Sequence, residues 1–263
     1  MFGSRLNDEV NVNIAGSALS GISSVDFSYS NSANTVKPLG SRKGLTTVGG
    51  ATEQKVSISR HLIYNDPILD FTGSSSMTGN IRYAGVSYRF SDAYLNSYSV
   101  NCAVGSVPKV NASISVFNEM ISSSENPSEF GSTGEIYIPS QGSISITCDN
   151  STTNRVIGFD YSITSSRKPN FSIGSETPVS VEFIPPLEYS AQVQIEVDEA
   201  FPQGSFNFLT SRQNKTVSFD IDGRDGTDIQ ALSIPNATLV SESLSASDNG
   251  STILNLNYIG HGF

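Results

Sequence analysis

Tryptophan is absent from the 263 residues, and histidine and cysteine occur only twice each. Charged residues make up 15% of the chain, and no run of lysine or arginine appears. Each shortage excludes something. Without tryptophan, a sugar site loses its broadest stacking platform and would have to rest on the ten tyrosines. With only His61 and His261, a serine nucleophile has few bases to choose from, and neither histidine lies in a nucleophile elbow. Cys102 and Cys148 stand far apart in no metal-ligand spacing, so the expectation is two buried or half-buried thiols. Nucleic acid is gripped through several cations facing phosphates, which this chain does not cluster.

Long apolar runs are also missing. None approaches the roughly 18 residues of a membrane helix, and the opening MFGSRLNDEV lacks the apolar centre of a signal peptide. These features predict a soluble protein without a membrane anchor, made in a reducing cytoplasm.

What is present is polar and acidic. Serine occupies 46 positions, and the net charge is −10. Residues 1–139 carry 11 acids and 9 bases, whereas 140–263 carry 14 acids and 6 bases. The hydrophobic 37% falls in short alternating runs: KVSISR (55–60), KVNASISV (109–116), SISIT (143–147), AQVQIEV (191–197) and VSFDID (217–222). Period-two alternation puts one face of a strand in a core and the other in water. Gly, Asn, Asp and Pro clusters separate the runs, as in VGGAT, DNSTTN and SDNGS. The pattern predicts an all-β sandwich or barrel, with one short helix possible near SDAYLNS (91–97).

Two segments break the rhythm. Residues 31–52 read as a long Gly/Ser/Thr-rich loop carrying Lys37, Arg42 and Lys43, an expected inter-subunit contact. Residues 119–139 read as a connector between a first domain, 1–118, and a second, 140–263. A weak internal repeat supports that division. VDFSYS (25–30) matches FDYSIT (159–164) at an offset of 134, and KVSIS (55–59) parallels QVQIE (192–196) at 137.

Two acidic groupings suggest chemistry at first sight. FDIDGRDGTD (219–228) offers Asp220, Asp222, Asp225 and Asp228, but Arg224 and Ala231 occupy positions where a calcium loop needs an oxygen ligand and a glutamate. An Asp-Gly turn after a strand explains it. Glu196, Asp198 and Glu199 resemble a carboxylate pair for glycoside hydrolysis, yet no cleft is implied, and a solvated strand face accounts for them. The six Asn-x-Ser/Thr sequons are what a serine-rich chain produces by chance. No cofactor and no enzymatic activity are expected.

Two longer stretches carry a resemblance. YLNSYSVNCAVGSVPKVNASISVF (94–117) has Leu95, Ser97, Tyr98, Ser99 and Val100, then the turn Gly105, Ser106, Val107 and Pro108. VIGFDYSITSSRKPNFSIGSETPVSVEF (156–183) has Phe159, Asp160, Tyr161, Ser162, Ile163, Arg167, Pro169, Ile173, Gly174, Ser175 and Pro178. Both resemble segments of bacteriophage tail tube proteins, as does the closing 234–260. The resemblance implies two tandem tail-tube-like β-sandwich domains whose inner strands form a closed barrel on ring assembly. It implies self-association, as a trimer with pseudo-sixfold symmetry or a hexamer, stacked into a tube within a virion tail and contacting other tail proteins. DNA would pass through without specific binding. Gln194, Glu196 and Asp198 would then face the channel, opposite Val193, Ile195 and Val197. A tail terminator or baseplate adaptor of the same fold, and a carbohydrate-binding adhesive sandwich, are the alternatives.

Overall fold

The computed structural model describes residues 10–36, 46–73, 75–83, 86–123, 136–148, 151–172, 175–197, 215–223, 226–246 and 251–262, without the side chains of 31–36 and 46–51. The described chain is all-β, and its strands are joined antiparallel. The first group is β1 (Asn11–Ile14), β2 (Ser17–Ala18), β3 (Ile22–Val36), β4 (Thr46–His61), β5 (Met77–Tyr83), β6 (Val86–Ala103), β7 (Lys109–Val116) and β8 (Ile121–Ser123). The second is β9 (Ile144–Cys148), β10 (Ser151–Thr153), β11 (Val156–Asn170), β12 (Ser180–Val197), β13 (Lys215–Asp222), β14 (Asp228–Ser245) and β15 (Thr252–Gly262).

A long sheet runs in the order β3-β4-β7-β6-β11-β12-β15-β14. Two short sheets, β2-β1-β5-β6 and β10-β9-β13-β14, complete the sandwich. Their inward side chains meet the long sheet in one apolar core, where Phe159 of β11 stacks on Phe219 of β13 with centroids 5.0 Å apart. The alternation read from sequence sets this up. Val56, Ile58, Ile114, Val193 and Ile195 are all buried, while Val197, at the end of its run, is half-buried.

β6 and β14 belong to both layers. Each pairs with a short sheet over its first part and with the long sheet over its second. The crossover is a bulge with a left-handed residue, Asp92 (φ 51°) in β6 and Asn236 (φ 49°) in β14. Aspartate and asparagine tolerate that conformation better than other side chains. The two bulges correspond closely. Register slips fall between Leu95 and Ser97 in β6 and between Leu239 and Ser241 in β14, at positions 144 apart. A second pair of slips, Ile22/Ser24 and Val156/Gly158, lies 134 apart. Strands β9–β15 therefore pair in the order and with the irregularities of β1–β7.

Three sequence expectations change. SDAYLNS is not helical: it lies wholly within β6, because the bulge at Asp92 breaks its alternation and mimics a helical spacing. The described helical element is a single 3-10 turn, Pro67–Phe71, capped by Asp66. Residues 31–36 and 46–52 are not loop but the paired ends of β3 and β4, running out to Val36 opposite Thr46. Lys37, Arg42 and Lys43 lie outside the described residues. Finally, pairing matches β4 to β12 at 135, not 137, since Ser57 opposes Asp26 where Gln192 opposes Asp160. A slip of two preserves the inward face, so the hydrophobic pattern alone did not separate the alternatives.

Candidate functional site

The long sheet has one face in the core and one open. Serine, asparagine and glutamine dominate the open face. Across it, hydrogen-bonded rows cross the strands: Ser59 Oγ donates to Asn111 Oδ1 (2.7 Å), Asn101 Nδ2 to Asp160 Oδ1, and Asn257 Nδ2 to Ser241 Oγ, while the hydroxyls of Ser162 and Ser190 pair at 2.7 Å. Its acids include Asp26, Glu53, Asp160, Glu188 and Glu196, and its cations include Lys55 and Lys109. The acids are spaced among neutral amides and hydroxyls and do not form a continuous band.

Gln194 and Glu196 lie on this open face, alternating with buried Val193 and Ile195. Asp198 lies outside the described residues. Glu196 accepts hydrogen bonds from Ser251 Oγ and from Gln141 Nε2 (2.6 Å), and these hold its carboxyl below the ordinary glutamate range.

The ends of the long sheet are β3 and the second part of β14. Among the described residues, β3 pairs only with β4, and residues 238–245 of β14 pair only with β15. Neither edge carries the lysine or proline that natural sheets use to blunt an edge. Large apolar groups stand open there instead. Phe27 is 48% exposed, Tyr29 63% and Leu244 65%.

The centre of the sheet shows what such groups do when covered. There β6 pairs with β11, with Val100 opposite Tyr161 and Tyr98 opposite Ile163. By the spacings above, Phe27 and Tyr29 occupy the places of Tyr161 and Ile163, and Leu244 that of Val100. All three central residues are buried. Apolar side chains at corresponding positions are covered in mid-sheet and about half or more exposed at its ends.

A second contact crosses the centre. Gln230 of β14, itself buried, accepts a hydrogen bond through Oε1 from the backbone N–H of Asp66 (2.8 Å). The Asp66 carboxylate meets Arg60 Nε at 3.4 Å and accepts from Tyr98 Oη (3.2 Å) and the Ile68 N–H (3.0 Å). Burial nevertheless raises its pKa above the usual aspartate value, against the pull of Arg60. Sequence reading missed this network because its members are scattered over 170 positions.

Little else is chemically armed. Both cysteines are buried and form no disulfide, and burial pushes the Cys102 thiol to about 12. Among the described residues no group of three or more His, Cys, Asp or Glu is placed to hold a metal. Asp220, Asp222 and Asp228 crowd the β13–β14 turn, where burial and mutual repulsion raise the first two above the ordinary range. No helix among the described residues is long and apolar enough to cross a membrane. No protein-family model matches the chain, and no curated protein does.

Proposed function

We propose that the chain is a virion structural protein, a tail tube subunit built from two tandem β-sandwich domains, which joins copies of itself edge to edge into rings. The rings stack into a tube, the long sheets closing into its inner barrel. The single observation that carries this reading is the strand order. The sheet ends on two unlike edges, and the chain already joins their counterparts at β6 and β11. A head-to-tail join of unlike edges propagates, and it closes into a ring when the rotation per copy divides a full turn. Closure also removes the exposed edges, which a barrel abolishes altogether.

The open face suits the bore of such a tube. Several of its amides and hydroxyls are hydrogen-bonded to neighbours across the strands, and its acids repel phosphate. A cation-rich bore would hold DNA through many salt-dependent contacts and slow its passage. In this reading the protein has no catalytic role and no cofactor. It assembles in the host cytoplasm, contacts other tail proteins, and makes a trimer with pseudo-sixfold symmetry or a hexamer.

Electron microscopy of the purified protein at rising concentration tests the proposal. Hollow filaments of uniform bore are the expected result. Rings that stop at one layer favour a terminator or adaptor, and a chain that stays monomeric at high concentration overturns the proposal.

A further inference from the structure

The repeated register goes further than the statement that edges meet, because it says which residue faces which. Resting on the self-association just proposed, we infer that β14 of one chain pairs antiparallel with β3 of the next, with Ser243 opposite Ser28, Leu244 opposite Phe27 and Glu242 opposite Tyr29. The template is the in-chain junction, where Ser99 faces Ser162, Val100 faces Tyr161 and Tyr98 faces Ile163. Positions in β14 follow β6 by 144, fixed by the shared bulge. Positions in β3 precede β11 by 134, fixed by the shared slip.

Three features fit this partner, a second copy of the chain. The pairing sets Leu244 against Phe27, covering apolar groups that are about half or more exposed in the single chain. The serines meet on the open face, where their counterparts Ser99 and Ser162 already neighbour each other, so the join continues the polar surface without a break. The second contact also has a counterpart. Gln230, which receives Asp66 in the chain, corresponds to Val86, and Val86 is 45% exposed beside Tyr83, also 45%. An exposed apolar pair thus stands at the place that Gln230 fills at the in-chain junction.

Paired cysteines test the register in the full chain. Facing residues in an antiparallel pair have Cα atoms about 4.5–5.5 Å apart, within disulfide range, and the native thiols are buried. The chain carrying both Ser28→Cys and Ser243→Cys is expected to give a ladder of reducible oligomers under mild oxidation. Ser30→Cys with Ser243→Cys, displaced by two residues, crosslinks several-fold more slowly. Neither Ser28→Cys nor Ser243→Cys alone gives a dimer. Equal crosslinking of the shifted pair, or a dimer from either single variant, overturns the register. Filaments of the Ser28→Cys, Ser243→Cys chain without a disulfide between the two positions overturn the register and leave the tube reading standing. Crosslinked rings that never stack leave the register standing and sink the tube. A chain that neither crosslinks nor assembles overturns both.

Discussion

Replacing Arg60 by methionine tests how the buried Asp66 network within the first strand set is held together, independently of any function. Arg60 and Asp66 are 2% and 0% exposed, with Nε 3.4 Å from Oδ2. At that separation and an effective dielectric constant near 20, the gross attraction is about 5 kcal/mol. Removing one member of a buried pair costs about 3–5 kcal/mol, because the other is left charged without its partner. Arg60→Met keeps most of the side-chain volume, so lost packing adds little. Asp66 would retain the Tyr98 and Ile68 hydrogen bonds but lose its cation. Its pKa, already raised by burial, would rise further.

The sign of the pH effect follows. A carboxyl with a raised folded pKa binds a proton in the fold before it does in the unfolded chain. Its contribution to stability therefore grows as pH falls through the folded pKa towards the unfolded value of about 3.9. Arg60→Met should cost about 3–5 kcal/mol in urea unfolding near pH 7.5, and the deficit should narrow on acidification. Arg60→Met with Asp66→Asn should cost less than the two single changes together, by about 1–3 kcal/mol. A deficit below about 1 kcal/mol, or one that widens in acid, refutes the reasoning.

Other outcomes follow from the same geometry. Val100→Asp should unfold the chain or cost at least about 4 kcal/mol, whereas Leu244→Asp at the equivalent place should leave the monomer within about 0.5 kcal/mol and abolish self-association; urea titration and sedimentation read the two effects. Gly79→Ala drives a methyl into the Phe90 ring and should cost about 1–3 kcal/mol, most of it recovered by adding Phe90→Leu. Ser251→Ala should raise the Glu196 pKa towards the ordinary glutamate value, seen by NMR titration. Because that pKa is depressed in the fold, the stability it contributes is present above about 4.3 and is lost as pH falls through the folded value.

Strand positions and inward faces were legible wherever alternation ran unbroken, as in KVNASISV and AQVQIEV. A two-state pattern of apolar and polar residues is enough to define a face. It failed where a bulge inserts a residue. Asp92 turned a strand into an apparent helix, and the corresponding bulge at Asn236 went unnoticed. The position of Gln194 and Glu196 on an open face was legible. The neutral character of their surroundings was not, since the neighbouring serines and asparagines come from strands paired across the sheet and distant in sequence. The bare edges were likewise invisible, because Phe27 and Tyr161 hold corresponding places in the same alternating pattern, and the pattern does not say which strand has a neighbour beside it.

The switch of β6 and β14 between layers has a mechanical consequence. Each is one continuous backbone, so the two leaves of the sandwich are tied by peptide bonds as well as by packing. Tension along the long sheet would pass into the outer leaf through covalent linkage at Asp92 and Asn236. To peel the leaves apart, a force would have to unzip a ladder of hydrogen bonds on each of these strands, a sterner resistance than two greasy surfaces sliding past each other.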